Sequence, residues 1–346
     1  MNISKFDYRL PEELIAQDPL PERDASRMLI VDRQSRAWRD SIFRSFPELL
    51  NENDVLVINN TRVLAARLRG RRDPSGGAVE LLLLRELRPK VWEALARPAR
   101  RIPAGSAINF DTSDLSAKIV DALPNGVRVV EFRSENDALD RVIDEIGEPP
   151  LPPYIRRDAA AARDDSERYQ TIYAHERGAI AAPTAGLHFT PNVIEAIKNR
   201  GVTIVELTLH VGYGTFEPVR VTNIDQHRVL PEWFSISEEA ASAVNRARAE
   251  HRRIVAVGTT TTRALESAID PDGKIRAQAG SANLTIVPGY KFRAVDALLT
   301  NFHLPQSSLL LLVCAFADRD FMLNAYRHAV EQRYRFYSYG DCMFVI

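Results

Sequence analysis

Short apolar runs set off by polar turns organise this chain. Met28–Asp32 and Asp54–Ile58 are apolar over strand length, the pattern of buried strands. Between Leu68 and Gly147 the texture shifts, with Val79–Leu84, Val91–Ala96, Ala107–Phe110, Ala117–Val120 and Val127–Phe132 in succession. They are separated by Pro74-Ser75-Gly76-Gly77, Pro103-Ala104-Gly105 and Pro124-Asn125-Gly126. Short strands with this turn punctuation predict a small antiparallel barrel or sandwich. Ala138–Ile146 closes the segment as a helix, and Glu148–Pro153, with four prolines, reads as a stiff extended linker. The expected fold is a mixed α/β body, residues 1–67 and 151–346, with an antiparallel β-barrel domain, residues 68–150, inserted into it.

Beyond the linker, strand and helix periods alternate. Ala179–Ala182 reads as a buried strand, followed by a polar turn. Thr190 occupies an N-cap position before Pro191, and Val193, Ile194 and Ile197 give a helical apolar stripe that ends at Gly201. Val202–Leu209 reads as the next strand, so a βαβ unit is predicted, with ligands expected beyond the carboxyl ends of its strands. Ser237 caps a helix to about Arg252, and Ile254–Val257 is a buried strand with a helix after it. Ala294–Leu299 is a further strand. Ser307 or Ser308 caps a helix that is apolar all round and therefore buried. Phe321–Glu331 is helical, and Arg335–Tyr339 and Met343–Ile346 read as terminal strands. In the lead-in, Pro11–Ala16 and a segment beginning at Pro47 read as short helices. Ala159–Ala162 is expected as a loop or helix start.

Composition narrows the class. At 45% hydrophobic and 26% charged, the chain is ordinary for a soluble protein. Lys5, Asp7, Arg9, Glu12 and Glu13 leave no apolar core for a signal peptide. The longest strongly apolar run, Leu309–Ala317, is far short of a membrane span. A cytoplasmic protein without a membrane partner is expected. Cys314 and Cys342 are too few for a disulfide framework or a cysteine-built zinc site, and no HExxH or Asp-rich loop is present, so no metal is expected. Net charge is −1, yet Arg62 to Arg101 holds 11 basic and 4 acidic residues, a local +7. That segment is either a footprint for phosphates or a solvated basic face.

The candidate chemistry gathers at strand ends. Asn59-Asn60-Thr61-Arg62, Thr184–His188 with Gly186, Gly258–Arg263 with Thr259 and Thr260, and Asn301-Phe302-His303 each follow an apolar run. His210 with Gly212-Tyr213-Gly214-Thr215 is a fifth cluster. Strand ends are more often closed by Gly, Asp or Ser turns, so a shared ligand site is predicted. His188, His210 and His303 are candidate acid–base groups because imidazole titrates near neutrality. Gly212-Tyr-Gly214 lacks the third glycine of a dinucleotide fingerprint, and no serine elbow occurs.

Several of these segments resemble one family. Phe6-Asp-Tyr-Arg-Leu-Pro-Glu-Glu-Leu-Ile-Ala, Asn59-Asn-Thr-Arg-Val, Ala182-Pro-Thr-Ala-Gly-Leu-His-Phe and His210-Val-Gly-Tyr-Gly-Thr-Phe are similar to S-adenosylmethionine:tRNA ribosyltransferase-isomerases. So are Gly258-Thr-Thr-Thr, Leu299-Thr-Asn-Phe-His-Leu-Pro and Tyr337-Ser-Tyr-Gly-Asp. The resemblance runs along essentially the whole chain, in order. It implies an α/β body with an inserted barrel. It also implies transfer and isomerisation of the ribosyl part of S-adenosylmethionine (SAM) onto 7-aminomethyl-7-deazaguanine at the wobble position of tRNA, giving epoxyqueuosine with release of adenine and methionine. SAM is then a co-substrate, and no cofactor or metal is required. The chain departs from the family at Leu230, where a second histidine after His227 is usual, and in the Gly280-Ser-Ala-Asn segment.

Under this resemblance the strand-end residues would contact SAM or the modified base. Phe189, Tyr213, Phe216 and Phe302 are candidate aromatic faces for the sulfonium or the bases. Glu217, Glu232 and Asp341 are candidate carboxylates for the cationic aminomethyl group. Arg67, Arg69, Arg71 and Arg72 are candidate tRNA contacts, and a monomer is expected. A methyltransferase and a non-catalytic tRNA-binding module are the rival readings. The first is disfavoured by the missing glycine-rich loop and the second by the polar strand ends.

Overall fold

Val55–Asn59, buried at every position, lies inside a nine-stranded sheet. The structure is a computed structural model that describes residues 1–110, 115–123, 126–134, 139–157, 162–216 and 218–346, the side chains of 162–164 and 216 aside. Pro124-Asn125, Ala138, Ala159–Ala161 and Glu217, on which sequence expectations fell, lie outside the described residues.

In sheet order the strands are Gln278–Ala282, Glu232–Ile236, Thr203–Leu209, Val55–Asn59, Ile254–Val257, Ala297–Asn301, Cys342–Val345, Arg27–Asp32 and Ala37–Ile42. Four neighbours from Thr203–Leu209 to Ala297–Asn301 are mutually parallel, so their carboxyl ends share one edge. Alternation assigns the two faces. Val55 and Val57 join a core with Leu207, Ala256, Leu298 and the helices Glu238–Ala249, Ser308–Phe316 and Arg319–Glu331. Leu56 and Ile58 point the other way, onto Phe43, Phe46, Phe189, Val193 and Ile197. Truncating a buried aliphatic here, such as Leu56→Ala, costs about 2–5 kcal/mol.

Six antiparallel strands, Val127–Ser134, Val91–Arg97, Ala78–Arg88, Arg67–Asp73, Ala107–Phe110 and Leu115–Ala122, close into a barrel in that order. Its core includes Leu68, Leu81, Leu83, Ile108, Ile119, Val130 and Phe132, with Leu139 and Ile143 of the helix Leu139–Ile146. Ile180 and Tyr213 belong to the same apolar cluster, so the barrel packs directly on the stretch that carries the expected site. Glu148 pairs with Arg67 through two backbone hydrogen bonds of 2.9 and 3.1 Å, bringing the two ends of the insertion side by side.

Several expectations are corrected. The strand expected at Ala179–Ala182 is instead Glu176–Ala179, paired with Thr61–Val63 in a separate two-stranded sheet. At Ile180 and Ala181 the chain turns, and both N–H groups donate to the Val211 carbonyl at 2.8 and 3.2 Å. The βαβ reading therefore fails, because its two strands belong to different sheets. Arg335–Tyr339 forms no strand beyond a bridge from Phe336 to Ile15, and Tyr337 has a positive φ of 75°. The strand expected at Ala294–Leu299 lies at Ala297–Asn301, since the Ala294 and Val295 N–H groups are taken by Glu266. The lead-in helices are 3-10 turns, Glu12–Leu14 and Phe43–Leu49, the latter beginning well before Pro47. The helix capped by Ser237 ends at Ala249.

Candidate active site

Polar residues follow each of the four parallel strands: His210 after Leu209, Asn60 after Asn59, Thr259 after Val257 and Gly258, and His303 after Asn301 and Phe302. Beyond the edge that their carboxyl ends share lies a cleft lined by Thr184, Thr215, Thr259, Thr260, Asn301 and His303, among others; no residue of Asn59–Arg62 and no part of His210 is in that lining. Gly258 bends the chain into it with φ +91°, a conformation that disfavours any side chain, and the helix Thr259–Ala268 starts there without a side-chain cap. The free N–H groups of that first turn carry partial positive charge. The run of four threonines divides its labour. Thr261 and Thr262 hydroxyls donate back to the carbonyls of Val257 and Gly258 at 2.6 and 3.1 Å. Thr260 Oγ1 is buried without a protein partner, on the cleft wall.

The three histidines occupy different environments. His303 lines the cleft, and its Nε2 lies 2.9 Å from Thr300 Oγ1. Burial pushes its pKa down to about 3, which keeps the imidazole neutral at physiological pH. Tyr8 and Tyr326 fix its backbone, the first donating to its carbonyl and the second accepting from its N–H. His188 does not line this cleft. It stands behind Asn301, with Nε2 at 2.9 Å from Asn301 Oδ1 and Nδ1 at 2.9 Å from Ser26 Oγ. Because Asn301 Nδ2 donates to the Tyr337 and Ser338 carbonyls, its Oδ1 must accept, and His188 Nε2 carries the proton. Burial above all lowers the His188 pKa, to about 4. His210 sits at the sheet edge, stacked on Trp233 at 4.8 Å, with Nδ1 at 2.8 Å from Thr61 Oγ1. Burial lowers its pKa, and Glu176 opposes the shift.

Other expected site residues serve the scaffold. Asn59 ties two strands together, donating to the Leu209 carbonyl and accepting from the Leu209 and Thr61 N–H groups. Asn60 accepts from Thr208 and donates to Glu206. Gly186 leaves room for Tyr173 and Thr171, and Gly214 lies under Leu230. Phe189 packs edge-on against Phe43, Phe46 and Tyr173 in the core; Phe302 is part of the cleft lining, but its ring lies among Tyr326, Tyr334 and Phe336. Tyr213 leans on the barrel core. Arg62 is exposed. Glu232 is ion-paired with Arg263 and accepts the Gly212 N–H at 2.9 Å; burial pushes its carboxyl upward against both partners. Asp341 accepts the Arg27 and Arg335 N–H groups at 2.9 and 2.8 Å, so its oxygens are committed to backbone.

The cleft also includes Tyr154, Tyr337 and Ser338, which the sequence reading did not place there. Tyr154 and Ser338 hydroxyls share a hydrogen bond, and Tyr154 meets Tyr337 edge-on at 3.9 Å. The sequence marks the segment Tyr337–Asp341 by its resemblance to the family, but its pattern points only to the carboxylate as a candidate. Among the described residues no cluster of His, Cys, Asp and Glu could hold a metal. No helix there is long and apolar enough to cross a membrane.

A family model described as queuosine biosynthesis protein matches residues 3–345. The chain belongs to that family. An S-adenosylmethionine:tRNA ribosyltransferase-isomerase of Pelotomaculum thermopropionicum is 48% identical over 346 residues, spanning 100% of both chains. A solved S-adenosylmethionine tRNA ribosyltransferase of Thermotoga maritima is 36% identical, with a TM-score of 0.56, over 99% of this chain and 100% of that one. The family segments quoted above supply most of the cleft: residues 182–185, 258–260, 300–303 and 337–338.

Proposed function

We propose that this chain transfers and isomerises the ribosyl group of SAM onto 7-aminomethyl-7-deazaguanine at the wobble position of tRNA, releasing adenine and methionine. The observation that carries the reading is the cleft at the carboxyl edge of the parallel strands, where hydroxyls, an amide, a helix N-terminus and a neutral imidazole converge. A sulfonium acidifies the adjacent C5′ hydrogens, so a neutral base of ordinary strength suffices to begin the reaction. His303 presents a neutral imidazole to the cleft, although burial makes it a weaker base than free imidazole. With Nε2 engaged by Thr300, its Nδ1 has no hydrogen-bond partner among the described residues. Thr259, Thr260 and the first-turn N–H groups offer donors to a nucleoside or a carboxylate. His188 acts through Asn301, orienting an amide that lines the cleft. SAM enters as co-substrate, and the acceptor is a single-stranded anticodon base, which a loop can splay out of its stack. The reaction calls on no metal or redox cofactor.

The test is product identity. Incubation with SAM and precursor tRNA should release adenine and methionine in equal amounts, one of each per modified tRNA. Accumulation of S-adenosylhomocysteine would replace the reading with methyl transfer, and binding without turnover would leave a tRNA-binding module.

A further inference from the structure

Behind His188 lies a second, smaller pocket open to solvent, which includes Arg23, Ser26, Arg168, His188, Ser338 and Gly340 in its lining, and no Asp or Glu among the described lining residues. Among the described residues the two arginines are held by carbonyls alone. Arg23 donates to the carbonyls of Gln170 at 2.8 Å, Leu187 at 3.2 Å and Glu167 at 3.1 Å. Arg168 donates to those of Leu20 and Pro21, while its Nε is buried with no partner. Arg335 lies nearby; its Nη2 donates to the Asp18 carbonyl, and its Nη1 is buried and unpartnered. None of the three forms an ion pair with a carboxylate among the described residues. Burial first, and then the Arg168 charge, lowers the pKa of Arg23. Beyond burial, Arg23 and Arg335 also depress His188. Glu167 beside Arg23, and Asp341 and Asp18 beside Arg335, offset only part of the cost of desolvating these cations, and an oxyanion would offset more of it.

We propose that this cavity is an oxyanion subsite, built to take a phosphodiester of the RNA or the carboxylate of the methionyl half of SAM. The assignment of those two sources rests on the reading of function above. The subsite is wired to the cleft. His188 bridges Ser26 on the cavity wall and Asn301 on the cleft wall, and Ser338 lines both spaces. An anion beside Arg23 and Arg168 would thus reach the cleft through one imidazole and one amide.

Inorganic phosphate is the probe, titrated into the substrate-free protein against chloride at matched ionic strength, with thermal unfolding as readout. Saturable stabilisation by phosphate is expected in the wild type, with affinity falling about tenfold or more in Arg168→Gln and partly restored in Arg168→Lys. In steady state, Arg168→Gln should raise KM for precursor tRNA if the anion is a phosphodiester, or Kd for SAM if it is the carboxylate. Phosphate that stabilises no more than chloride, or equally well in a folded Arg168→Gln, overturns the subsite and leaves the arginines as staples between loops. Weakened phosphate binding with both substrates unaffected overturns its role in the reaction. Should Arg168→Gln not fold, the wild-type titration and Arg168→Lys decide. Because phosphate binding needs no turnover, a failed product assay and a failed subsite are separate results.

Discussion

Gly178 provides the space that the ring of His210 occupies: a Cβ on Gly178 would lie 2.5 Å from His210 Nε2. The glycine also has φ +148°, where L side chains are strained. Gly178→Ala should therefore displace the imidazole from Trp233 and Thr61, and destabilise the fold by about 1–3 kcal/mol. If His210 is an acid–base group, turnover falls roughly 10²–10⁴-fold in both Gly178→Ala and His210→Ala, with SAM affinity kept. Equilibrium denaturation and single-turnover kinetics measure the two effects. Loss of stability with turnover intact would make the stack structural.

Thr260 separates binding from folding. Its hydroxyl is buried on the cleft wall without a partner, so Thr260→Val should leave stability unchanged or slightly raised while weakening SAM binding about tenfold. Thr261→Val removes a 2.6 Å bond to the Val257 carbonyl and should lower stability. Calorimetric SAM titration alongside thermal unfolding of the pair checks the division. A Thr260→Val protein with unchanged SAM affinity would remove that hydroxyl from the site.

The body and barrel were legible where burial is continuous. Val55–Asn59 is buried throughout and reads as a strand from its apolar run alone, and the barrel strands are marked by their turns. Edge strands were not legible: Ala37–Ile42 is polar and exposed, and Gln278–Ala282 pairs on only one side. Ile180 and Ala181 mislead for the opposite reason, because small apolar residues are buried as readily in a turn under a barrel as in a strand. In the cleft, Thr259, Thr260 and His303 follow strands and could be found by order along the chain. Tyr154 and Ser338 arrive from segments 184 residues apart and share one hydrogen bond, which no local period encodes.

Glu232 is a candidate for reading the modified base, but its ion pair with Arg263 predicts another outcome. Both side chains are buried, and Arg263 also holds the carbonyls of Ala282 and Leu284. Glu232→Gln leaves a buried guanidinium uncompensated, at a cost of about 3–5 kcal/mol. Denaturant midpoints measure that cost. A stable Glu232→Gln protein with impaired use of the aminomethyl substrate would restore the base-reading role.

Stability should depend on the two buried histidines in acid. Folded-state pKa values near 4 for His188 and near 3 for His303 lie below the ordinary 6.5 because burial disfavours imidazolium. Between pH 6.5 and those values the unfolded chain binds more protons than the folded one. Stability is therefore full above about pH 6.5 and declines as pH falls toward 4 and then 3. Comparing wild type with His303→Gln by urea unfolding from pH 7.5 to 4.5 isolates one contribution, since other titrating groups are common to both. The wild type should lose more stability over that range; equal losses would place His303 in a wetter environment. For the same reason His303 should not set the acid limb of the rate profile above pH 5.

The last expectation concerns the barrel. The local +7 counted along Arg62 to Arg101 is partly neutralised in the fold. Arg67 lies 3.9 Å from Glu80 and Arg85 3.1 Å from Glu93, while Glu131 and Glu148, outside the counted segment, reach Arg88 and Arg69 at 3.8 and 2.9 Å. The four candidate arginines are also not equivalent. Arg67, Arg69 and Arg71 alternate onto one side of their strand, whereas Arg72 points to the other and donates to Ser75 and to the Arg101 carbonyl at 2.6 Å. Arg69 and Arg71 are exposed and are the better placed to meet RNA phosphates. Arg69→Gln with Arg71→Gln should raise KM for tRNA, leave Kd for SAM unchanged, and flatten the dependence of log K on log salt by about two units. Arg72→Gln should instead cost stability by freeing the hairpin at Ser75. Salt-series binding assays on both variants separate these outcomes. An Arg69/Arg71 variant with wild-type affinity and slope would show the barrel face to be a solvated surface and transfer the RNA contacts to the α/β body.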